Sequence, residues 1–109
     1  MGTISYVIVK HTVADYGRWK TIFDADGANR QAAGSKGGQD FRSADDPNEV
    51  VMLFEWDLEK ARQFSQRDEL RAKMQEAGVL GPVESYFLEE IEQISRSEND
   101  FVRTRQTVK

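Results

Sequence analysis

The chain has 109 residues, a formal net charge of −4 and no cysteine. This length allows one domain with a modest core, and the lack of cysteine excludes disulfides, thiolate zinc sites and cysteine nucleophiles. The acidic balance argues against a nucleic-acid partner. No apolar run approaches the roughly 20 residues of a membrane span, and Lys10 and His11 cut the first apolar run short. We therefore expect no signal peptide, no membrane partner and a cytoplasmic location.

Hydrophobic patterning predicts strands and helices in the order β-α-β-β-α-β. The strands are expected at residues 4–13, 38–44, 49–56 and 83–94, and the helices at 15–33 and 58–77. This order is typical of the ferredoxin-like α+β fold, a four-stranded antiparallel sheet with both helices on one face. We assign residues 1–94 to this domain and residues 95–109 to a polar C-terminal tail.

Local signals refine the predicted elements. Asp15 can cap the first helix, and Asp68 can cap a second piece of the later helical segment. Gly27 interrupts the first helical pattern, so that helix should bend there or be approached closely by another group. The polar strand at 38–44 should lie at an edge of the sheet, and Pro82 should stand at the opening of the last strand.

The predicted sheet has an apolar face without a cover. Residues 4–13 and 49–56 are apolar on both faces, as in central strands, but the helices can cover only one face. An exposed apolar face marks an interaction surface, so we predict a homodimer in which two sheets face each other around a closed barrel. The tail, anchored by Phe101 and Val102, is expected either to dock on the partner copy or to be a solvated terminus.

Three stretches of sequence resemble a known family: residues 9–20, the turn at 45–50, and 69–74 together with 77–79. They resemble the dimeric α+β barrel superfamily, and within it the antibiotic biosynthesis monooxygenase-like and cyclase-like small proteins. The resemblance extends over roughly residues 4–93 and implies homodimers of ferredoxin-like protomers. Members of the superfamily include cofactor-independent oxygenases of polyketide quinones, heme-degrading oxygenases and polyketide cyclases.

The heme-degrading branch is the poorest match. It carries a histidine on its second helix, together with an asparagine and a tryptophan on strands. This chain has its only histidine, His11, on the first predicted strand, and Phe64 stands on the helix where a histidine would serve. Trp56 resembles the tryptophan, but the set is incomplete. We expect no heme chemistry, no other cofactor and no metal, since no metal-ligand spacing repeats on a helix.

The resemblance implies a cofactor-independent monooxygenase or cyclase-type enzyme acting on a small aromatic or polyketide-like substrate. Such oxygenation requires a pocket that binds an aromatic enol, removes a proton and excludes water. His11 is the only imidazole and the first candidate for the proton-handling group. The ordinary alternative is a histidine held by a neighbour at the end of its strand. Trp19 and Phe23, in the helical stripe, are expected in the core.

Other side chains are weaker candidates for the site. Glu55 and Glu89 are further candidates for catalysis, because a partly buried carboxylate can have a raised pKa and exchange protons. The candidate walls of a substrate pocket are Tyr6, Trp56, Tyr86 and Phe87. Each has a structural alternative, as an ordinary core or interface aromatic or as a surface carboxylate paired with Arg42 or Lys10.

The alternative function is a non-catalytic ligand-binding or structural homodimer of the same superfamily. An enzyme predicts a closed pocket of a few hundred Å³, with His11 or a buried glutamate on its wall. A structural protein predicts an interior filled by side chains, with His11 exposed or tied to backbone. The pocket could lie between the sheet and its own helices or inside the barrel.

Overall fold

The computed structural model describes residues 3–94, which form a four-stranded antiparallel sheet and four short helices. The strands are β1 (Ser5–Val13), β2 (Gly38–Arg42), β3 (Glu49–Glu55) and β4 (Val79–Glu89). The helices are α1 (Tyr16–Ala25), α2 (Gly27–Ala32), α3 (Leu58–Ser65) and α4 (Asp68–Glu76). None of the helices in this part of the chain is long and apolar enough to cross a membrane.

The strand order is β2-β3-β1-β4. β1 and β2 both run antiparallel to β3, which lies between them, and β3 and β4 both run antiparallel to β1. Each helical connection therefore joins two parallel strands across an intervening one, as in a split β-α-β unit. The ferredoxin-like α+β fold predicted from the sequence is confirmed, with the polar strand β2 at an edge and β1 and β3 in the centre. The predicted tail contact through Phe101 and Val102 lies outside the described residues.

Alternate residues of the central strands form the face that the helices cover. These residues are Val7, Val9, His11 and Val13 on β1, and Val50, Met52, Phe54 and Trp56 on β3 and just after it. Apart from His11, and with Val9 packed against its edge, they form one core cluster with Trp19 of α1 and with Ala61 and Phe64 of α3. Burial of each large apolar side chain contributes about 1.5–3 kcal/mol, so the layer between sheet and helices holds the fold together.

The other face of the sheet carries no helix among residues 3–94. Its apolar side chains are Tyr6, Ile8, Phe41, Val51, Leu53, Leu80, Tyr86 and Leu88. Phe41 is 49% exposed and Tyr86 is 50% exposed, and Lys10 forms an ion pair of 3.4 Å with Glu49 on the same face. We call this side of the sheet, with all the side chains that point to it, the outer sheet face.

The first helical segment is broken where the sequence shows a glycine. α1 ends at Ala25 and α2 begins at Gly27, so the interruption expected at this glycine is confirmed. Between the two helices, the Asp26 amide donates to the carbonyl oxygen of Ile22 at 3.1 Å. The Asp26 carboxylate accepts a hydrogen bond of 2.7 Å from the side chain of Asn29. The polypeptide thus turns while its polar groups remain paired.

The second helical segment also divides in two, but its cap differs from the prediction. Asp68 is the first residue of α4, and the cap position is Arg67, whose side chain makes no capping bond. The aspartate that does cap a helix here is Asp57, which accepts a hydrogen bond from the Lys60 amide at the start of α3. One position decides the difference, because a capping carboxylate must stand before the first helical residue.

β4 begins earlier than the sequence predicts. It starts at Val79 and passes through Gly81 and Pro82. The pairing register with β1 shifts between Lys10 and Thr12, and Gly81 adopts a φ of 69°. An irregularity of this kind lets a strand continue through a glycine and a proline that would otherwise end it.

Replacing Gly38 by alanine tests the close approach of β2 to β3. A Cβ atom on Gly38 would overlap the carbonyl oxygen of Leu53, so the two strands would have to separate. We expect Gly38→Ala to lower the free energy of unfolding by about 1–3 kcal/mol in chemical denaturation. In the control Gly17→Ala the new Cβ meets Asp15 Oδ1 at an ordinary 3.6 Å, and stability should change by less than about 1 kcal/mol. Equal losses in the two variants would contradict the β2–β3 register.

Candidate functional site

A cavity of about 420 Å³ lies between the sheet and the helices. Its walls come from β1, β3 and β4 on one side and from all four helices on the other. Val9, Ile22 and Phe87 line it and are only half-buried although they belong to the core layer. The side chains therefore do not fill the space between sheet and helices. A volume of this size suits a small organic ligand.

Six rings line the cavity in one continuous arc, which we call the aromatic arc. Its members are His11, Trp19, Phe23, Phe54, Trp56 and Phe64. Consecutive ring centroids are 4.8 to 6.2 Å apart. Trp19 and Phe23 are stacked, whereas His11 meets Trp19 edge-on. These are favourable aromatic geometries, so the arc supports its own shape and gives the cavity a largely aromatic wall.

The aromatic arc follows from simple spacing in the sequence. Trp19 and Phe23 are four residues apart on α1 and so share one helical face. Phe54 and Trp56 are two residues apart on an extended chain and so share one sheet face. The Trp56 indole N–H donates to the carbonyl oxygen of Ala33 at 3.1 Å, which fixes that ring and satisfies its polar atom.

His11 lies in the cavity wall and is 6% exposed. Its Nδ1 is buried and has no hydrogen-bond partner among residues 3–94. Burial lowers the pKa of His11 below its ordinary value of 6.5, because a charged imidazole would lose its hydration there. An interaction with its own backbone acts in the opposite direction but is the smaller effect, so the ring is neutral at pH 7.

The burial of His11 also links stability to pH. Well above pH 6.5 the ring is neutral in both the folded and the unfolded chain. As the pH falls through that value, the unfolded chain binds a proton that the folded chain excludes, so the free energy of unfolding falls. The slope for one such proton is at most about 1.4 kcal/mol per pH unit.

Some sequence-predicted site residues come together and others do not. His11, Trp56 and Phe87 all line the cavity. Glu89 pairs with Ser5 at the far end of β4, is exposed and is not part of the cavity wall. The proton-handling role of His11 stays a prediction, and so does the catalytic role of Glu89.

Three further predicted residues belong to the opposite side of the sheet. Tyr6, Tyr86 and Glu55 lie on the outer sheet face. The Tyr6 hydroxyl donates to Glu90 at 3.1 Å, and this bond to a carboxylate raises the Tyr6 pKa. Glu55 forms an ion pair of 3.7 Å with Lys36. Their part in a ligand site stays a prediction that depends on a second copy covering this face.

Sequence reasoning missed part of the cavity wall. Trp19 and Phe23 are in the core as expected, but they also face the cavity. Arg30, half-buried at the α2 wall, was not predicted as a site residue. A signal for it exists, because Arg30 continues the apolar stripe of the first helical segment seven residues after Phe23. A charged side chain at a position of the apolar stripe is expected to face the core layer, which makes it a candidate site residue.

The described residues show no metal site. Among residues 3–94, no three His, Asp or Glu side chains gather closely enough to hold a metal ion. The expectation that the protein works without metal or cofactor stays a prediction from the sequence.

No protein-family model matches the sequence, and no curated protein matches it. Solved structures do match. SnoaB, a cofactor-independent oxygenase from Streptomyces nogalater, is 14% identical, with 85% of this chain and 98% of SnoaB covered and a TM-score of 0.69. A Caulobacter crescentus protein proposed to be an antibiotic biosynthesis monooxygenase is 16% identical, and the match covers 83% of this chain and 92% of that protein with a TM-score of 0.64. A dimeric ferredoxin-like protein from an uncultured marine organism is 14% identical, and the match covers 88% of this chain and 95% of that protein with a TM-score of 0.57.

At these identities the similarity shows the fold. Each match covers more than four fifths of this chain, so it includes both helical connections as well as the sheet. The chain therefore has the ferredoxin-like fold of the antibiotic biosynthesis monooxygenase-like proteins, as the sequence resemblance predicted.

Proposed function

We propose that this protein is a cofactor-independent monooxygenase or cyclase-type enzyme whose small aromatic or polyketide-like substrate binds along the aromatic arc. The observation that carries this proposal is His11, which lines an aromatic cavity and whose buried Nδ1 has no hydrogen-bond partner among residues 3–94. A neutral base in a site that excludes water is what the reaction requires. The shared fold with SnoaB, a cofactor-independent oxygenase, supports the same class.

Oxygenation by this route needs the substrate, a base and O₂. His11 takes a proton from an activated methylene carbon of an anthrone-like substrate, and the resulting enolate passes one electron to O₂. The two radicals combine into a peroxide, which the His11 imidazolium protonates. Loss of water from the hydroperoxide leaves a carbonyl, so that CH₂ and O₂ become C=O and H₂O. The protein binds the substrate, moves the proton and keeps water away.

Cyclisation uses the same first step. When His11 removes a proton next to a carbonyl group, the enolate carbon can attack a second carbonyl of the same substrate. The cavity then determines which two carbons meet, because it limits the conformations of the bound chain. Oxygen consumption separates the two reactions, since only the oxygenase uses O₂.

A binding protein without catalysis is the alternative. It is favoured by the small number of groups that can move protons, since Glu55 and Glu89 are not part of the wall that His11 lines. Such a protein would hold the same aromatic ligands without changing them. Turnover, rather than affinity, distinguishes the two functions.

The outer sheet face supports a second proposal, that the protein is a homodimer through this face. Eight apolar or aromatic side chains from all four strands lie there, several of them half exposed. A second copy related by a two-fold axis would cover them with an identical surface. Tyr6, Tyr86 and Glu55 would then face the interior of the barrel. A cytoplasmic location and the absence of nucleic-acid and membrane partners stay predictions.

Oxygen uptake tests the proposed enzyme. With a panel of anthrone-like and quinol substrates, we expect the wild type to consume O₂ and His11→Gln to lose about 10²–10⁴-fold in kcat/KM, since a positioned base contributes that much. The control Glu59→Gln removes an exposed carboxylate on α3 and should retain the wild-type rate. Equal rates in wild type and His11→Gln would remove His11 from the mechanism. Binding of the panel without O₂ uptake or any new product would favour the alternative function.

Sedimentation tests the homodimer. At micromolar concentration we expect a particle of twice the 12.5 kDa chain mass. Ile8 lies in the middle of the outer sheet face, between Leu53 and Tyr86, so Ile8→Lys should bury two like charges and give single chains. Ala28→Lys adds the same charge at an exposed position on α2 and should remain dimeric. A wild type that sediments as one 12.5 kDa chain would refute this interface.

A further inference from the structure

Arg30 is a cation in an aromatic setting with no carboxylate partner among residues 3–94. Its Cζ lies 3.7 Å from the ring centroid of Phe23 and 5.9 Å from that of Phe54. Nη2 donates to the carbonyl oxygen of Phe23 at 2.9 Å, and the ion pairs of the described residues do not include Arg30. A guanidinium has five N–H donors. Most of those on Arg30 are therefore left for a ligand.

Arg30 stands where the cavity meets a second, more polar cleft. This polar cleft has a volume of about 390 Å³ and shares Phe23, Arg30 and Phe54 with the cavity. Its other walls include the polar side chains of Ser35, Lys36 and Asp40, so its two cations, Arg30 and Lys36, stand against one carboxylate. A ligand with an apolar body and a polar end would find suitable surroundings for each part on the two sides of Arg30.

The charges in the cavity wall are opposite in sign to the charge of the whole chain. The chain carries a net charge of −4, yet the wall contains three basic residues, Arg30, Arg71 and Lys73, against one acidic residue, Asp26. Arg71 and Lys73 make ion pairs with residues of their own helix. Asp26 is already bonded to Asn29. Asp24, Asp26 and Asp40 are near enough to favour the charged form of Arg30, but within the described part of the chain none of them forms an ion pair with it.

His11 and Arg30 lie toward opposite ends of the cavity. On the helix-covered sheet face, His11 stands opposite Val50 and Val7 stands opposite Phe54. The four-residue separation along β1 corresponds to about 13 Å, and Arg30 lies over the Phe54 end. A ligand that reaches both groups must therefore be extended, and the rings between them favour a fused aromatic system.

We propose that the substrate is an aromatic acid whose fused rings lie along the aromatic arc and whose carboxylate binds Arg30 at the junction with the polar cleft. This inference rests on the proposed function and adds to it the charged group of the substrate. Arginine matches a carboxylate with two parallel N–H···O bonds, and such charge-assisted bonds are about twice as strong as neutral ones. At the other end of the ligand, the reacting carbon lies near His11.

Tryptophan fluorescence measures occupancy of the cavity directly. Trp19 and Trp56 are the two tryptophans of the chain, and both line the cavity. Anthracenecarboxylate and the matching neutral carboxamide have nearly the same shape and differ in charge. We expect both to quench the tryptophans of the wild type, with the carboxylate binding at least about tenfold more tightly.

Variants identify the residue responsible for that preference. Arg30→Gln should bind the two probes equally, and Arg30→Lys should keep part of the preference. Arg18→Gln removes the same charge from an exposed position on α1 and should keep the full preference for the carboxylate. A preference lost equally in Arg18→Gln would overturn the inference, because overall charge would then explain it.

Comparing the two probes on the wild type alone tests whether the cavity prefers a carboxylate, so the test does not depend on the folding of Arg30→Gln. Equal affinity of the wild type for carboxylate and carboxamide would overturn the assignment of Arg30 and leave the aromatic site standing. Failure of both probes to quench the tryptophans would overturn the proposed function together with this inference.

Discussion

The central strands β1 and β3 present apolar side chains on both faces, while the helical connections cover only one of these faces. This geometric constraint follows from the β-α-β-β-α-β order, because both crossovers lie on the same side of a split β-α-β sheet. It divides the molecule into a core layer on one side and the outer sheet face on the other. The two surfaces have different proposed roles, since the core layer would hold a small ligand and the outer sheet face a second copy of the chain.

The cavity exists because the helices are short and broken. Both crossovers consist of two helices, one pair interrupted at Asp26 and the other at residues 66–67. Two members of the core cluster, Ala61 and Ala77, have small side chains, and both line the cavity. Empty space of this kind forfeits dispersion contacts and lowers stability. A ligand that fills it would restore those contacts and stabilise the folded state.

Much of the fold could be predicted from the sequence, because each signal was local. The spacing of apolar residues gives the element order, and the polar side chains of β2 place it at the edge of the sheet. The interruption of the first helical segment follows from Gly27 alone. The start of β4 and the cap of α4 could not be predicted in the same way. The first depends on a register shift against β1, and the second on a one-residue difference at Asp68. The register shift is set by how two distant segments meet, whereas the cap turns on a boundary that sequence patterns place only to within a few residues.

The site was harder to predict, because β1 and β3 are apolar on both faces. Parity alone therefore could not separate Trp56, which lines the cavity, from Tyr6, which lies on the outer sheet face. His11 was selected by its chemistry as the only imidazole, independently of its face. Arg30 belongs to an apolar helical stripe, and only the packing of Phe23 and Phe54 around it reveals its environment.

The central claim is that His11 lies in an apolar cavity that keeps it neutral, and one measurement tests it most directly. The chain contains a single histidine, so one imidazole signal in an NMR pH titration reports on this group alone. Because burial disfavours the charged ring, we predict a His11 pKa clearly below 6.5. A pKa at or above 6.5 would mean a hydrated or ion-paired ring, and would contradict both the apolar surroundings of His11 and the base assigned to it.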